Sequence, residues 1–147
     1  MKESMIKKIR ERGLKLTPQR LAIIEALVNT SHCHPSAYVI FEEVRKVLAK
    51  ISLSTVYYSL NQFAKHGIIN ILEFDSMENR LEGNTETHIH LVCKKCHNIK
   101  DFHSVLFDIK DIEKKTGFSV METRFEYHGY CHRCRDSDHA LLPDEGA

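Results

Sequence analysis

Two pairs of cysteines, Cys93 and Cys96 in "CKKC" and Cys131 and Cys134 in "CHRC", constrain this chain more than any other feature. Two residues between cysteines let both sulfurs face one ion across a tight turn. Four thiolates complete a tetrahedral shell with no position left open. The pattern predicts a structural Zn2+ that staples the ends of a small sheet, which would bring residues 93 and 131 together in space. A redox dithiol is the competing reading, but that chemistry calls for one CxxC at a helix start, not two in knuckles. The charged N-terminus "MKESMIKKIRERG" has no apolar stretch after it, and no apolar run nears the ~18 residues of a membrane span. A cytoplasmic protein with no membrane partner is expected, where thiols stay reduced and paired CxxC spacing points to metal.

Charge is placed unevenly along the 147 residues. Residues 1–72 carry 11 Lys/Arg against 5 Asp/Glu, and residues 73–147 carry 10 against 15. A basic half joined to an acidic half suggests a nucleic-acid-binding module attached to something else. In the basic half, "TPQRLAIIEALVNT" reads as a helix with Thr17 as N-cap, Pro18 at its first position and Leu21, Ile24, Leu27 and Val28 inward. "PSAYVIFEEVRKVLAK" is a second helix, with Ser36 near its cap and Ile40, Val44, Val47 and Leu48 inward. "SLSTVYYSLNQFAKHG" is a third, capped by Ser52 or Ser54, with Val56, Leu60, Phe63 and Ala64 inward and Gly67 ending it. A shorter helix is expected over residues 3–12. "IINILEF", the turn "DSMEN" and "RLEG" then form a hairpin.

Three helices followed by a two-stranded hairpin is the layout of a winged helix-turn-helix, whose third helix enters a DNA major groove. The expected fold class is α+β. A winged-helix DNA-binding domain covers 1–83, a hinge 84–87, and a small α/β metal-binding domain 88–147. That second domain reads as strand "HIHLV", knuckle, strand "NIKDF", helix "SVLFDIKDIEKKTG", long strand "FSVMETRFEYHGY" and an aperiodic, frayed tail.

His88 and His90 require a separate account. Residues two apart on a strand share a face, and a zinc shell filled by four thiolates has no room for them. Two imidazoles with Asp101 on the next strand make a mixed N/O site suited to Fe2+, Mn2+ or Zn2+. Surface histidines without a ligand are the alternative.

The pieces "LKLTPQR", "HPSAYVIF", "SLSTVYYSLNQFAKHGII", "RLEGN", "HIHLVCKKCHNIKDF" and "HGYCHRC" run in order over residues ~10–135. Together they resemble the ferric uptake regulator (Fur) family of metal-dependent repressors, most closely its peroxide-sensing (PerR) branch. The resemblance implies a regulatory Fe2+ or Mn2+ held by His34, Glu82, His88, His90 and Asp101, between two domains that the metal clamps into one orientation. It implies a homodimer formed through the acidic half, which is then a dimerisation domain, bound to a palindromic AT-rich operator in double-stranded DNA. Tyr57 would contact bases. Ser52, Ser54 and Thr55 would meet phosphates, Lys15 an AT-rich minor groove, and Arg20 the backbone. One of Tyr57 and Tyr58 is expected to pack into the core.

Aspartate at 101 matches the peroxide-sensing branch, whereas glutamate at 82 stands where many of its members have aspartate. No cysteine near 82 suggests zinc sensing, and Ile89 and Thr123 leave a further metal site of many Fur-like members unfurnished. With Fe2+, the resemblance implies peroxide-driven oxidation of His34 or His88 and release of DNA; with Mn2+ it does not. The rival on the same fold is an iron- or manganese-responsive regulator of metal uptake. An enzyme is disfavoured, because no nucleophile or general acid/base stands by the metal residues. A purely structural zinc-ribbon adaptor would leave His34, Glu82 and Asp101 without a role. His97 and His132 could support the zinc by hydrogen bonding. The remaining histidines, His32, His66, His103, His128 and His139, are read as surface or supporting residues. Cys33 is read as a small buried residue ahead of a reactive sensor.

Overall fold

A computed structural model of the protein describes residues 1–104 and 108–135. The chain divides into two compact units, Met1–Glu86 and Thr87–Ala147. The first contains α1 (Lys2–Glu11), α2 (Pro18–Thr30), a 3-10 turn (Ser31–Cys33), α3 (Ala37–Arg45), α4 (Leu53–Lys65) and the hairpin β1 (Asn70–Leu72) and β2 (Arg80–Glu82).

Local chemistry sets the helix ends. Thr17 accepts a hydrogen bond from the Arg20 amide at 3.2 Å, with Pro18 at the first helical position, where its missing N–H costs nothing. Ser36 caps α3 through the Val39 amide, and Ser52 caps α4 through the Thr55 amide. At the other end of α4, Gly67 adopts φ +67. Its amide bonds Ala64 O and the Ile68 amide bonds Phe63 O, a paired closure that needs a left-handed residue and so favours glycine.

The core of this unit gathers Met5 and Ile9 of α1, Ile23, Ile24 and Leu27 of α2, Ile40 and Val44 of α3, and Val56, Leu60 and Phe63 of α4. Ile68, Ile69 and Leu81 close it from the hairpin side. Helix α2 is buried more broadly than its expected stripe: Ile23 joins Ile24 and Leu27, while Leu21 and Val28 are half-buried. Helix α3 stops five residues early. After Arg45 the amides of Lys46 and Val47 turn back to Glu43 O and Val44 O, three residues behind, so the helical face is lost and Val47 is 71% exposed. Both Tyr57 (47% exposed) and Tyr58 (61%) lie outside the core, because residues 56, 59, 60 and 63 already form the buried face of α4. Cys33 is likewise exposed, its thiol donating to Thr30 O at 3.1 Å at the end of α2.

The hairpin is antiparallel, with Asn70 opposite Glu82 and Leu72 opposite Arg80. A further backbone bond, from the Leu81 amide to Pro35 O at 2.8 Å, ties β2 to the start of α3. Gly83 follows at a close approach, where an added Cβ would lie 2.2 Å from the Met5 methyl of α1.

The second unit is a three-stranded sheet of order β4-β3-β5, with β3 (Ile89–Cys93) central, β4 (Ile99–Phe102) antiparallel to it and β5 (Glu126–Gly129) parallel. Helix α5 (Ile109–Thr116) crosses between β4 and β5, capped by Asp108 through the Lys110 amide at 2.9 Å and ended by Gly117 at φ +69. The expected helix began at Ser104; residues 105–107 lie outside the described ones, as do the tail from Asp136 and His139. The expected thirteen-residue strand reduces to Glu126–Gly129, since β3 offers pairing only along its own length. Among the described residues, no helix is long and apolar enough to cross a membrane.

Replacing Ile40, fully buried, by Ala should cost about 2–5 kcal/mol, whereas Val47→Ala should stay within about 0.5 kcal/mol. Denaturant unfolding of the two variants measures the difference.

Candidate metal centres

Strand direction assembles the thiols. β3 and β5 are parallel, so both run toward the same sheet edge, with Cys93 level with Gly129. Cys93 ends β3, Cys96 sits in the following turn, and Cys131 and Cys134 follow β5. The four Sγ atoms lie within 4.8 Å of one another, and Cys96 and Cys131 are 3.7 Å apart. A tetrahedron with Zn–S of about 2.3 Å has sulfurs separated by about 3.8 Å. The thiols therefore fit one zinc ion.

Their acidities point the same way. Backbone amides of Cys131 and Cys96 lower the Cys93 thiol to about 6, and the Cys131 amide donates to its sulfur at 3.4 Å. Cys131 is lowered too, chiefly by a hydrogen bond from Cys134, while Cys134 is pushed up to about 12 by Cys131. Thiolates this close suppress each other's ionisation, and a divalent cation removes the conflict. His97 contributes through its backbone. Its φ of +57 and its amide bond to Cys93 O close the knuckle, and neither its exposed ring nor that of His132 hydrogen-bonds a cysteine among the described residues.

The other donor residues fall into two groups, one in each unit. In the first unit, His34 and Glu82 are both buried, with His34 Nε2 3.5 Å from Glu82 Oε1. His34 adopts φ 47, ψ 74, a left-handed conformation that costs a residue with a Cβ roughly 1–2 kcal/mol. Asn70, opposite Glu82 in the hairpin, donates to its Oε2 at 3.4 Å. In the second unit, His90 stands opposite Asp101 in the β3–β4 ladder. The single oxygen Asp101 Oδ1 lies 3.3 Å from His88 Nε2 and 3.8 Å from His90 Nε2, and the two rings are 4.5 Å apart. In each group, buried imidazole nitrogen stands beside carboxylate oxygen, the mixed N/O chemistry that suits Fe2+ or Mn2+. The ring of His103 packs 5.1 Å from that of His88. Spacing gives no signal for Asn70, which only the β-register reveals.

The residues expected at DNA sit as follows. Ser52 is the N-cap of α4, and its hydroxyl also meets Ser54 and Thr55 at 3.1 and 2.8 Å. Ser52 and Ser54 are exposed and Thr55 is half-buried. Lys15 is exposed in the turn before α2, and its carbonyl accepts from Arg20 Nη1 at 2.8 Å, so part of that guanidinium holds the turn.

A unit of four helices and a hairpin is thus followed by a sheet that carries a four-thiol cluster and a histidine–carboxylate cluster. The Ferric uptake regulator family profile matches residues 11–128. The peroxide-responsive repressor PerR of Staphylococcus epidermidis is 35% identical over 136 residues, 91% of this chain and 90% of that protein. A zinc-bound manganese uptake regulator is 30% identical with a TM-score of 0.64, covering 87% of this chain and 98% of its own. The Helicobacter pylori ferric uptake regulator Fur, described with three functional metal-binding sites, is 26% identical with a TM-score of 0.71, covering 92% and 94%. This chain belongs to the ferric uptake regulator family.

Cys96→Ser should remove stoichiometric zinc, measured by elemental analysis. It should also abolish the cooperative melting of the sheet unit, because a structural zinc contributes about 10–16 kcal/mol of apparent binding free energy.

Proposed function

We propose that the protein is a homodimeric repressor that binds a palindromic AT-rich operator in the cytoplasm and releases it when peroxide oxidises a histidine of its regulatory metal site. That site would combine His34 and Glu82 from the first unit with His88, His90 and Asp101 from the second, while Cys93, Cys96, Cys131 and Cys134 hold structural zinc. Because the donors are divided between the units, binding one cation would bias their mutual orientation and so the presentation of α4 to DNA. We assign no enzymatic activity on a separate substrate.

The observation that carries the peroxide reading is Asp101, whose Oδ1 faces both His88 and His90. Aspartate here matches the peroxide-sensing branch that the sequence resembles. Held by these donors, Fe2+ would supply the reversible one-electron chemistry that activates peroxide, the net two electrons coming from the imidazole; Mn2+ would not. The chain supplies the imidazole that gains one oxygen, His34 or His88, while the second peroxide oxygen leaves as water. Glu82 beside His34 favours the second reading, an iron- or manganese-responsive regulator of metal uptake without peroxide sensing.

Exposed Tyr127 lies on β5 and exposed Tyr130 directly follows it, and β5 pairs only with β3 among the described residues. An apolar sheet edge of this kind suits an isologous contact with a second copy. On the DNA side, Lys15 and the exposed Tyr57 are the side chains proposed to reach the grooves.

The protein loaded with Fe2+ or Mn2+ is treated with peroxide while operator binding and peptide mass are followed. One-oxygen gain on His34 or His88 with loss of binding, in the iron form alone, is expected. Unchanged binding in the iron form would leave the metal-uptake regulator. Lys15→Ala should lower the salt slope by about 1 and cost more on an AT-rich operator than on one with G·C pairs at the minor-groove position, whereas Tyr57→Ala should cost about 1–3 kcal/mol and relax preference at one base position. Fluorescence anisotropy over a salt series with mutated operators separates the two.

A further inference from the structure

We propose that Arg80 positions His34 for the regulatory metal by holding the backbone of residue 34 in its left-handed conformation. The proposal rests on the reading above that His34 and Glu82 belong to that site. Three successive residues of β2 grip the segment around His34. Arg80 Nη1 donates to His34 O at 3.3 Å, the Leu81 amide donates to Pro35 O at 2.8 Å, and Glu82 Oε1 lies 3.5 Å from His34 Nε2.

Residue 34 precedes a proline, so the right-handed helical region is disfavoured by clash with the Pro35 ring. The ordinary resting state of such a residue is extended. Left-handed backbone persists in a residue with a Cβ only where surrounding contacts over-determine it. Extended and left-handed states differ in where the residue 34 carbonyl points, and that carbonyl is the atom Arg80 holds. Released from it, residue 34 would relax toward extended backbone and carry its imidazole away from Glu82.

Arg80 is poorly placed to serve stability alone. Its Nε is buried with no hydrogen-bond partner among the described residues, which costs the folded state an unsatisfied donor. The strand is already fixed by the buried Leu81 side chain and the Pro35 bond. Removing the guanidinium should therefore disturb the conformation of His34 more than the fold.

The test uses the full-length, zinc-loaded protein and its Arg80→Ala, Arg80→Lys and His34→Ala variants. Mn2+ affinity is measured by electron paramagnetic resonance of the free ion. The ligand set is followed by the visible absorption of the Co2+-loaded protein, and melting is recorded without added Mn2+ or Co2+. Arg80→Ala is expected to weaken Mn2+ by about 10–100-fold, the effect typical of losing a group that orients a ligand. Its Co2+ spectrum should shift toward that of His34→Ala while its melting stays near wild type. Arg80→Lys, which keeps one donor, should recover part of the affinity. Wild-type Mn2+ binding by Arg80→Ala, with binding lost in His34→Ala, would overturn the positioning role and leave the metal site standing. Wild-type binding by His34→Ala would overturn the site itself. A loss of affinity that follows a lowered melting temperature with an unaltered Co2+ spectrum marks Arg80 as structural and equally sinks the proposal.

Discussion

The antiparallel register of β3 on β4 is the constraint on which the second unit depends. With His90 opposite Asp101 and Val92 opposite Ile99, one carboxylate is aimed at two imidazoles, and an apolar pair separates them from the knuckle. A slip of one residue would turn every side chain of β3 to the other face. The knuckle resists that slip, because the Cys93 amide bonds Asn98 O and the His97 amide bonds Cys93 O, which fixes the number of residues in the turn. The knuckle that carries Cys93 and Cys96 therefore also fixes the register that brings His88, His90 and Asp101 together.

In the first unit the equivalent constraint is the short strand β2. Its three residues hold a carbonyl, a backbone bond and a carboxylate against residues 34 and 35. The hairpin is thus joined to the start of α3 as well as to its own partner strand. A wing that contacts the loop carrying His34 has a direct physical route to influence that side chain, with no chain of intermediate side chains.

Much of this was readable in the residues. Thr17-Pro18, Ser36, Ser52 and Gly67 mark helix ends because capping is local chemistry. The four cysteines declared their convergence because ligand number and spacing are fixed by the ion. What escaped the sequence depended on tertiary context. Val47 keeps the helical spacing of Val44, but α3 ends before it, and nothing in "RKVLAK" forbids another turn. Tyr57 and Tyr58 offered two aromatic candidates for a core whose volume Val56, Leu60 and Phe63 already fill. Cys33 was expected inside by residue type, yet the 3-10 turn at 31–33 carries it out to solvent. The left-handed backbone of His34 and the grip of Arg80 arise from a contact across 46 residues, which periodicity does not register.

The parallel pairing of β3 and β5 carries a consequence for how the molecule is made. Antiparallel β3 and β4 are neighbours in sequence and can zip as soon as both are synthesised. Strand β5 must instead close a loop of more than thirty residues, running from Cys96 to Cys131, before any of its bonds form. Loop closure of that length carries an entropic cost that a four-residue strand repays poorly. A metal bridging the two cysteine pairs would convert that closure into a local event at the sheet edge. On this topology, zinc would act on the order of assembly: the last strand docks when the ion arrives, and the outer edge of the sheet is complete only then.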